Sequence, residues 1–120
     1  AMRTWDEQEE LYAQGRTKKG KIVTNAKAGY SWHNYGLAID ICILFDTNND
    51  GTFETASFKV DKYWMIVTNY LKSQGWSWGG DWNTFKDYPH FELKQGLTLA
   101  EAKRRYQQRK FIGKSSYITL

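Results

Sequence analysis

Gly36-Leu37-Ala38-Ile39-Asp40-Ile41-Cys42-Ile43-Leu44-Phe45 has the two-residue period of a β-strand. Leu37, Ile39, Ile41 and Ile43 fall on one face, and Ala38, Asp40, Cys42 and Leu44 on the other. The first face is expected to be core. Asp40 then lies among small or apolar neighbours, where an unpaired carboxylate is costly. A metal ion beside it would remove that cost. Cys42, the only cysteine, excludes an internal disulfide and is expected to be a buried thiol.

Outward from this strand the chain mixes helices and hairpins. Asp46 to Glu54 is rich in Asn, Asp and Gly and reads as a turn, with Thr55 to Val60 as the second strand of a hairpin. Asp61 can cap a helix from about Lys62 to Gln74, ended by Gly75, with Tyr63, Ile66, Val67, Tyr70 and Leu71 at helical spacing. Trp76 to Trp78 and His90 to Leu93 are short strand candidates around a Gly79-Gly80 loop. On the N-terminal side, Thr4 and Glu7 form a capping box for a helix from about Trp5 to Gln14, stopped by Gly15, and Arg16 to Tyr30 reads as loop. Thr98 and Glu101 open a last helix to about Arg109; the tail to Leu120 has no clear pattern. No βαβ rhythm appears, so the fold class is α+β with an antiparallel sheet and flanking helices.

Composition narrows the function. The 120 residues suffice for one compact domain, and the 41% apolar content allows a real core. Six Trp, eight Tyr and six Phe suit either a packed core or a groove with flat apolar walls, and Trp32, Tyr35, Trp78, Trp82 and Tyr88 flank the motifs described below. The net charge of +4 favours anionic partners. The basic clusters Lys18, Lys19, Lys21 and Lys103, Arg104, Arg105, Arg109, Lys110 carry no nucleic-acid motif, so nucleic acid is not an expected partner. No apolar stretch approaches membrane-span length, and no signal peptide is visible.

The chemistry sits in two short motifs. Ser31-Trp-His33-Asn-Tyr-Gly36-Leu-Ala38-Ile-Asp40 and Asp87-Tyr-Pro-His90-Phe-Glu92 contain both histidines of the chain. Gly36 permits a turn that brings His33 and Asp40 to one point, and Pro89 stiffens the approach to His90. Two imidazoles and a carboxylate make a catalytic zinc triad with a fourth position for water. Asp87, three residues before His90, suits a general base. From residue types alone, structural histidines remain an equal alternative.

The combined run Ser-x-His-x-x-Gly-x-Ala-x-Asp, then Trp78-Gly-Gly-Asp-Trp82, then Asp-x-x-His-Phe-Glu resembles the LAS metallopeptidases. These include VanY-type D-Ala-D-Ala carboxypeptidases and the L-alanyl-D-glutamate endopeptidases of bacteria and phage endolysins. Ala13-Gln-Gly-Arg-Thr17 and Lys21-Ile-Val-Thr-Asn-Ala26 look like the endopeptidase branch. The resemblance implies a Hedgehog/D-Ala-D-Ala peptidase-like fold, Zn2+ as cofactor, and His33, Asp40 and His90 as its ligands. It implies Asp87 as catalytic acid/base, Arg3 near the scissile carbonyl, and Gln8 and Ser31 as polar residues of the same pocket; Trp78 and Trp82, which flank the motifs, are expected as substrate-groove walls, with core packing as the alternative. It also implies peptidoglycan as partner, a site of action at the bacterial cell wall, and a monomer without membrane insertion. Members usually carry more sequence, including a strand, before the segment matching Arg3; the expectation is either a longer parent protein or a domain that lacks part of its sheet. The alternatives are a D-Ala-D-Ala carboxypeptidase on the same centre, a non-catalytic zinc domain that has lost its base, and a basic, aromatic wall-binding or nucleic-acid-binding module that needs no zinc.

Asp46-Thr-Asn48-Asn-Asp50-Gly51 matches the first half of a calcium loop, which would place Ca2+ at Asp46, Asn48 and Asp50. The twelfth position would be Ser57 rather than a bidentate Glu, with Glu54 at the ninth. A hairpin turn explains the same letters.

Overall fold

A computed structural model describes residues 2–120. It divides the chain into two compact units, Ala1–Ala38 with Lys94–Leu120, and Ile39–Leu93.

The first unit holds α1 (Trp5–Ala13), a 3-10 turn at Trp32–Tyr35, and a C-terminal helix, Leu99–Gln107. Both helices start where their capping boxes predict. The Thr4 side chain accepts from the Glu7 backbone N–H at 3.2 Å, and the Glu7 carboxylate accepts from the Thr4 N–H at 2.7 Å. Thr98 and Glu101 repeat the arrangement at 3.2 and 2.8 Å. The core of this unit is Tyr35, Leu37, Ala102 and Ile118, with Trp5, Trp32, Tyr106 and Phe111 packed against it. The tail is tied in by a bridge between Phe111 and Ile118. Ile118 is therefore a core residue in a segment whose sequence shows no pattern.

In the second unit, the expected strand from Gly36 to Phe45 is broken in two. β1 (Ala38–Asp40) and β2 (Ile43–Phe45) belong to different sheets. β2 pairs antiparallel with β3 (Thr55–Ser57), the hairpin expected from the 46–54 turn. Next come α2 (Lys62–Ser73), β4 (Ser77–Trp78), a 3-10 turn at Gly79–Asp81, and β5 (His90–Glu92). The three-stranded sheet has the order β1-β5-β4, with β4 and β5 antiparallel. The C-terminal helix of the first unit is α3. The α+β expectation thus holds, with small antiparallel sheets.

The break has consequences for the sequence reading. Because β1 ends at Asp40, that residue does not lie on a covered strand face. Its side chain is 45% exposed, so the burial argument for a metal fails at Asp40. Cys42, in the connection between the sheets, is half-buried rather than buried. The second core is Trp64, Trp78 and Phe91, with Ile39, Ile41, Ile43, Met65 and Leu71 against it.

α2 is turned by one residue, about 100°, from the expected face. Trp64 and Thr68 are buried, while Tyr63, Ile66 and Tyr70 are exposed. The residue with the largest apolar area, Trp64, sets the inward direction. Asp61 caps this helix through N–H bonds from Tyr63 and Trp64 at 3.0 and 3.2 Å. Among the described residues, no helix is long and apolar enough to cross a membrane.

Candidate metal centre

His33 stands on the 3-10 turn Trp32–Tyr35 and is 4% exposed. The Ser31 hydroxyl caps this turn by accepting from the His33 N–H at 3.3 Å. Gly36 ends it at φ +71, in the left-handed region where glycine carries no penalty. A Cβ there would also come within 2.2 Å of the Tyr117 ring. Asn34 is fully buried and ties the turn to the N-terminal segment. Its amide donates to the Arg3 and Thr4 carbonyls at 2.9 and 3.2 Å, and its oxygen accepts from the Gly29 N–H at 3.1 Å. Arg3 is held next to His33 by a direct bond, its N–H donating to the His33 carbonyl at 2.9 Å. The only sequence signal for Asn34 is its place beside His33.

The Arg3 guanidinium donates to Gln8 Oε1 at 2.9 Å. Gln8 is 0% exposed, and its amide nitrogen donates to the Ala26 carbonyl at 2.6 Å. It is a buried prop that orients Arg3. Ser31 likewise has a structural task, as the cap of the turn that carries His33.

In the second unit, His90 and Glu92 occupy alternate positions of β5 and so point to the same face. Phe91, between them, goes to the core. Trp78 is 8% exposed, is stacked on Phe91 at 6.3 Å, and donates its indole N–H to the Tyr88 carbonyl at 2.7 Å. Of the two roles open to it in the sequence, groove wall and core, it takes the core. Trp82 is 36% exposed and tilts against the His90 ring at 5.3 Å. Asp87 is exposed on the loop before β5, and its N–H donates to the Gly79 carbonyl at 3.1 Å. A Cβ on Gly79 would meet the Asp87 carbonyl oxygen at 2.3 Å, so this glycine is what lets the Asp87 loop approach.

Asp40 and His90, both in the second unit, bring potential ligand atoms together, and His33 of the first unit is the third candidate donor. The His90 Nδ1 to Asp40 Oδ1 distance is 3.3 Å, and the His90 Nε2 to Glu92 Oε1 distance is 2.9 Å. Zinc bonds of about 2.0–2.2 Å at tetrahedral angles separate neighbouring ligand atoms by about 3.3–3.6 Å. The Asp40 side of the ring has that spacing, whereas the Glu92 side has the spacing of an N–H···O bond. The donor set of two imidazoles and one carboxylate therefore fits zinc.

Burial alone would lower the pKa of His90, but the hydrogen bonds and charges of Asp40 and Glu92 more than reverse this and push it up to about 9. The folded value lies above the ordinary 6.5, so the metal-free folded chain holds a proton that the unfolded chain releases. Stability from this group is complete below about pH 6.5 and is lost as pH rises through about 9. Chelator-treated protein should accordingly melt at a lower temperature near pH 9 than near pH 6.5; a melting temperature that rose over this window would contradict the assignment. Zinc needs the neutral imidazole, so its uptake at neutral pH should release protons.

A second carboxylate group, Asp46, Asp50 and Glu54, also lies within 4.8 Å. Here hydrogen bonds account for the arrangement. Asp46 accepts from the N–H groups of Asp50 and Gly51 at 3.2 and 2.8 Å, Asp50 from Thr52 at 2.7 Å, and Glu54 from the Thr47 hydroxyl at 2.9 Å. Asn48 donates to Asp50 at 2.9 Å. These are the bonds of the hairpin turn, and they hold the Asp50 and Glu54 carboxyls below the usual carboxylate range.

The profile of a family of M15 peptidases described as D-alanyl-D-alanine carboxypeptidase matches residues 24–93, the stretch that contains His33, Asp40, Asp87 and His90. The chain belongs to this family. It is also 50% identical over 98 residues to the peptidoglycan L-alanyl-D-glutamate endopeptidase CwlK of Bacillus subtilis strain 168. The match covers 76% of this chain and 56% of that relative, so the chain spans about half of the relative's length. The M15 peptidases as a group depend on zinc.

Proposed function

We propose that this chain is a zinc-dependent peptidase domain, residues 1–120, that cuts peptidoglycan stem peptides between L-Ala and D-Glu. The observation that carries the reading is the 50% identity to a relative named for that cleavage. The paired motifs and the His33, Asp40 and His90 donor set agree with it.

In this reading His33, Asp40 and His90 hold Zn2+, which makes water nucleophilic near neutral pH and polarises the peptide carbonyl. Asp87 takes the proton of the attacking water and delivers it to the leaving amine of D-Glu, while attack on the L-Ala carbonyl breaks the C–N bond. Arg3, held by Gln8, offsets the negative charge that develops on the carbonyl oxygen. Trp82, exposed beside His90, offers an apolar wall to the stem peptide. The domain works as a monomer on the bacterial cell wall, without nucleic acid or membrane insertion.

The family description supports a second reading, release of terminal D-Ala. The two differ in product. Digestion of purified peptidoglycan is expected to release stem peptides with D-Glu at their amino end and to leave L-Ala on the glycan, as read by mass spectrometry. Free D-Ala as the sole product would replace the endopeptidase reading with the carboxypeptidase one. Intact wall after incubation with zinc-loaded protein would leave a non-catalytic zinc domain.

A further inference from the structure

Glu92 is a buried carboxylate, 6% exposed, that lies outside the group of three candidate ligands. It shares a face of β5 with His90, two residues away, and its Oε1 lies 2.9 Å from His90 Nε2. The opposite ring nitrogen, Nδ1, is the one beside Asp40 Oδ1, at 3.3 Å. An imidazole that binds a metal through one nitrogen must carry its proton on the other, and the acceptor of that proton fixes both tautomer and ring plane. A carboxylate in an apolar setting is costly unless its hydrogen bonds are made. The β-strand period supplies this one at the only spacing that faces His90 along the same strand.

We propose that Glu92 is a positioning residue for the metal centre: it accepts the Nε2 proton of His90 and so turns a bare Nδ1 toward the metal position beside Asp40. This rests on the reading of His90 as a zinc ligand. Glu92 does not touch substrate; it acts through His90. The carboxylate also makes the imidazole a better donor, because negative charge at Nε2–H raises electron density at Nδ1.

The test uses the full chain and zinc itself. Glu92→Gln keeps shape and one acceptor oxygen but removes the charge. Folding is checked by circular dichroism, and zinc affinity is measured by competition with a chromogenic chelator. A loss of about 10–100-fold is expected, together with a shifted visible spectrum of the Co2+-substituted protein. A residue that only filled space would change melting temperature and leave both unchanged, and that result overturns the proposal. A second measurement needs no variant. The chain has two histidines, so the ring nitrogens of zinc-loaded wild-type protein can be assigned by long-range nitrogen NMR. Metal on Nδ1 and a proton on Nε2 of His90 are expected; metal on Nε2 overturns the proposal. If wild-type protein binds no zinc, the metal reading itself fails, which is distinct from unchanged affinity in Glu92→Gln.

Discussion

Asp87→Ala is expected to keep its zinc and lose turnover by about 10²–10⁴-fold, the usual cost of removing a general acid/base. Two observations separate Asp87 from the ligand group. It is exposed on the loop before β5, and it is not one of the three candidate ligands His33, Asp40 and His90. Its position is nevertheless fixed by the backbone. The Asp87 N–H donates to the Gly79 carbonyl, and the Asp87 carbonyl accepts from the His90 N–H at 3.2 Å, so the two residues are joined in one turn. Removing the carboxylate should leave that turn and the metal content intact. The loss should appear in kcat with little change in KM, since proton transfer is needed as water attacks and as the C–N bond breaks, not in substrate binding. Asp87→Asn should behave like Asp87→Ala, because an amide cannot take the water's proton. Zinc loss in either variant would make Asp87 a ligand, and near-wild-type turnover would remove it from the mechanism.

The parts of the molecule legible in the sequence are those in which local chemistry and tertiary need agree. The capping boxes at Thr4 and Thr98 place two helix starts, and the Asx-rich run at 46–54 places a hairpin turn. Gly36 is readable as a turn because nothing else fits φ +71 against Tyr117. What was not legible depended on competition among apolar residues. Tyr63, Ile66 and Tyr70 have the right spacing for a buried stripe, yet Trp64 takes the inward face. The run from Gly36 to Phe45 has a continuous two-residue period, and periodicity carries no mark of where a chain passes from one sheet to another. His33, Asp40 and His90 stand out as candidate ligands by type and spacing, but burial among apolar neighbours does not describe Asp40, whose side chain is half-exposed. Gln8 and Trp78 are buried, one against Arg3 and the other in the Trp64 core, a placement that residue type and spacing do not reveal. Glu92 carried no separate signal, because a carboxylate two residues after a histidine acquires meaning only once both lie on one strand.

His90→Ala is expected to abolish stoichiometric zinc binding, and with it all turnover. Three protein ligands are the minimum of a catalytic zinc site. Two remaining donors, one of them on the half-exposed Asp40, cannot compete with water and buffer for the ion. The substitution also removes one partner of the buried Glu92, so some loss of stability is expected in the metal-free state as well. The two effects separate by experiment. Elemental analysis of folded His90→Ala should find near-zero zinc against one ion per chain in the wild type. The wild type should gain melting temperature on zinc addition, as any ligand that binds only the folded state requires, and His90→Ala should not. Glu54→Ala, in the hairpin turn that holds the second carboxylate group, serves as the internal control and should keep its zinc. Unchanged zinc in His90→Ala, or loss in Glu54→Ala, would move the metal away from the His33, Asp40 and His90 centre, and the proposed mechanism would go with it.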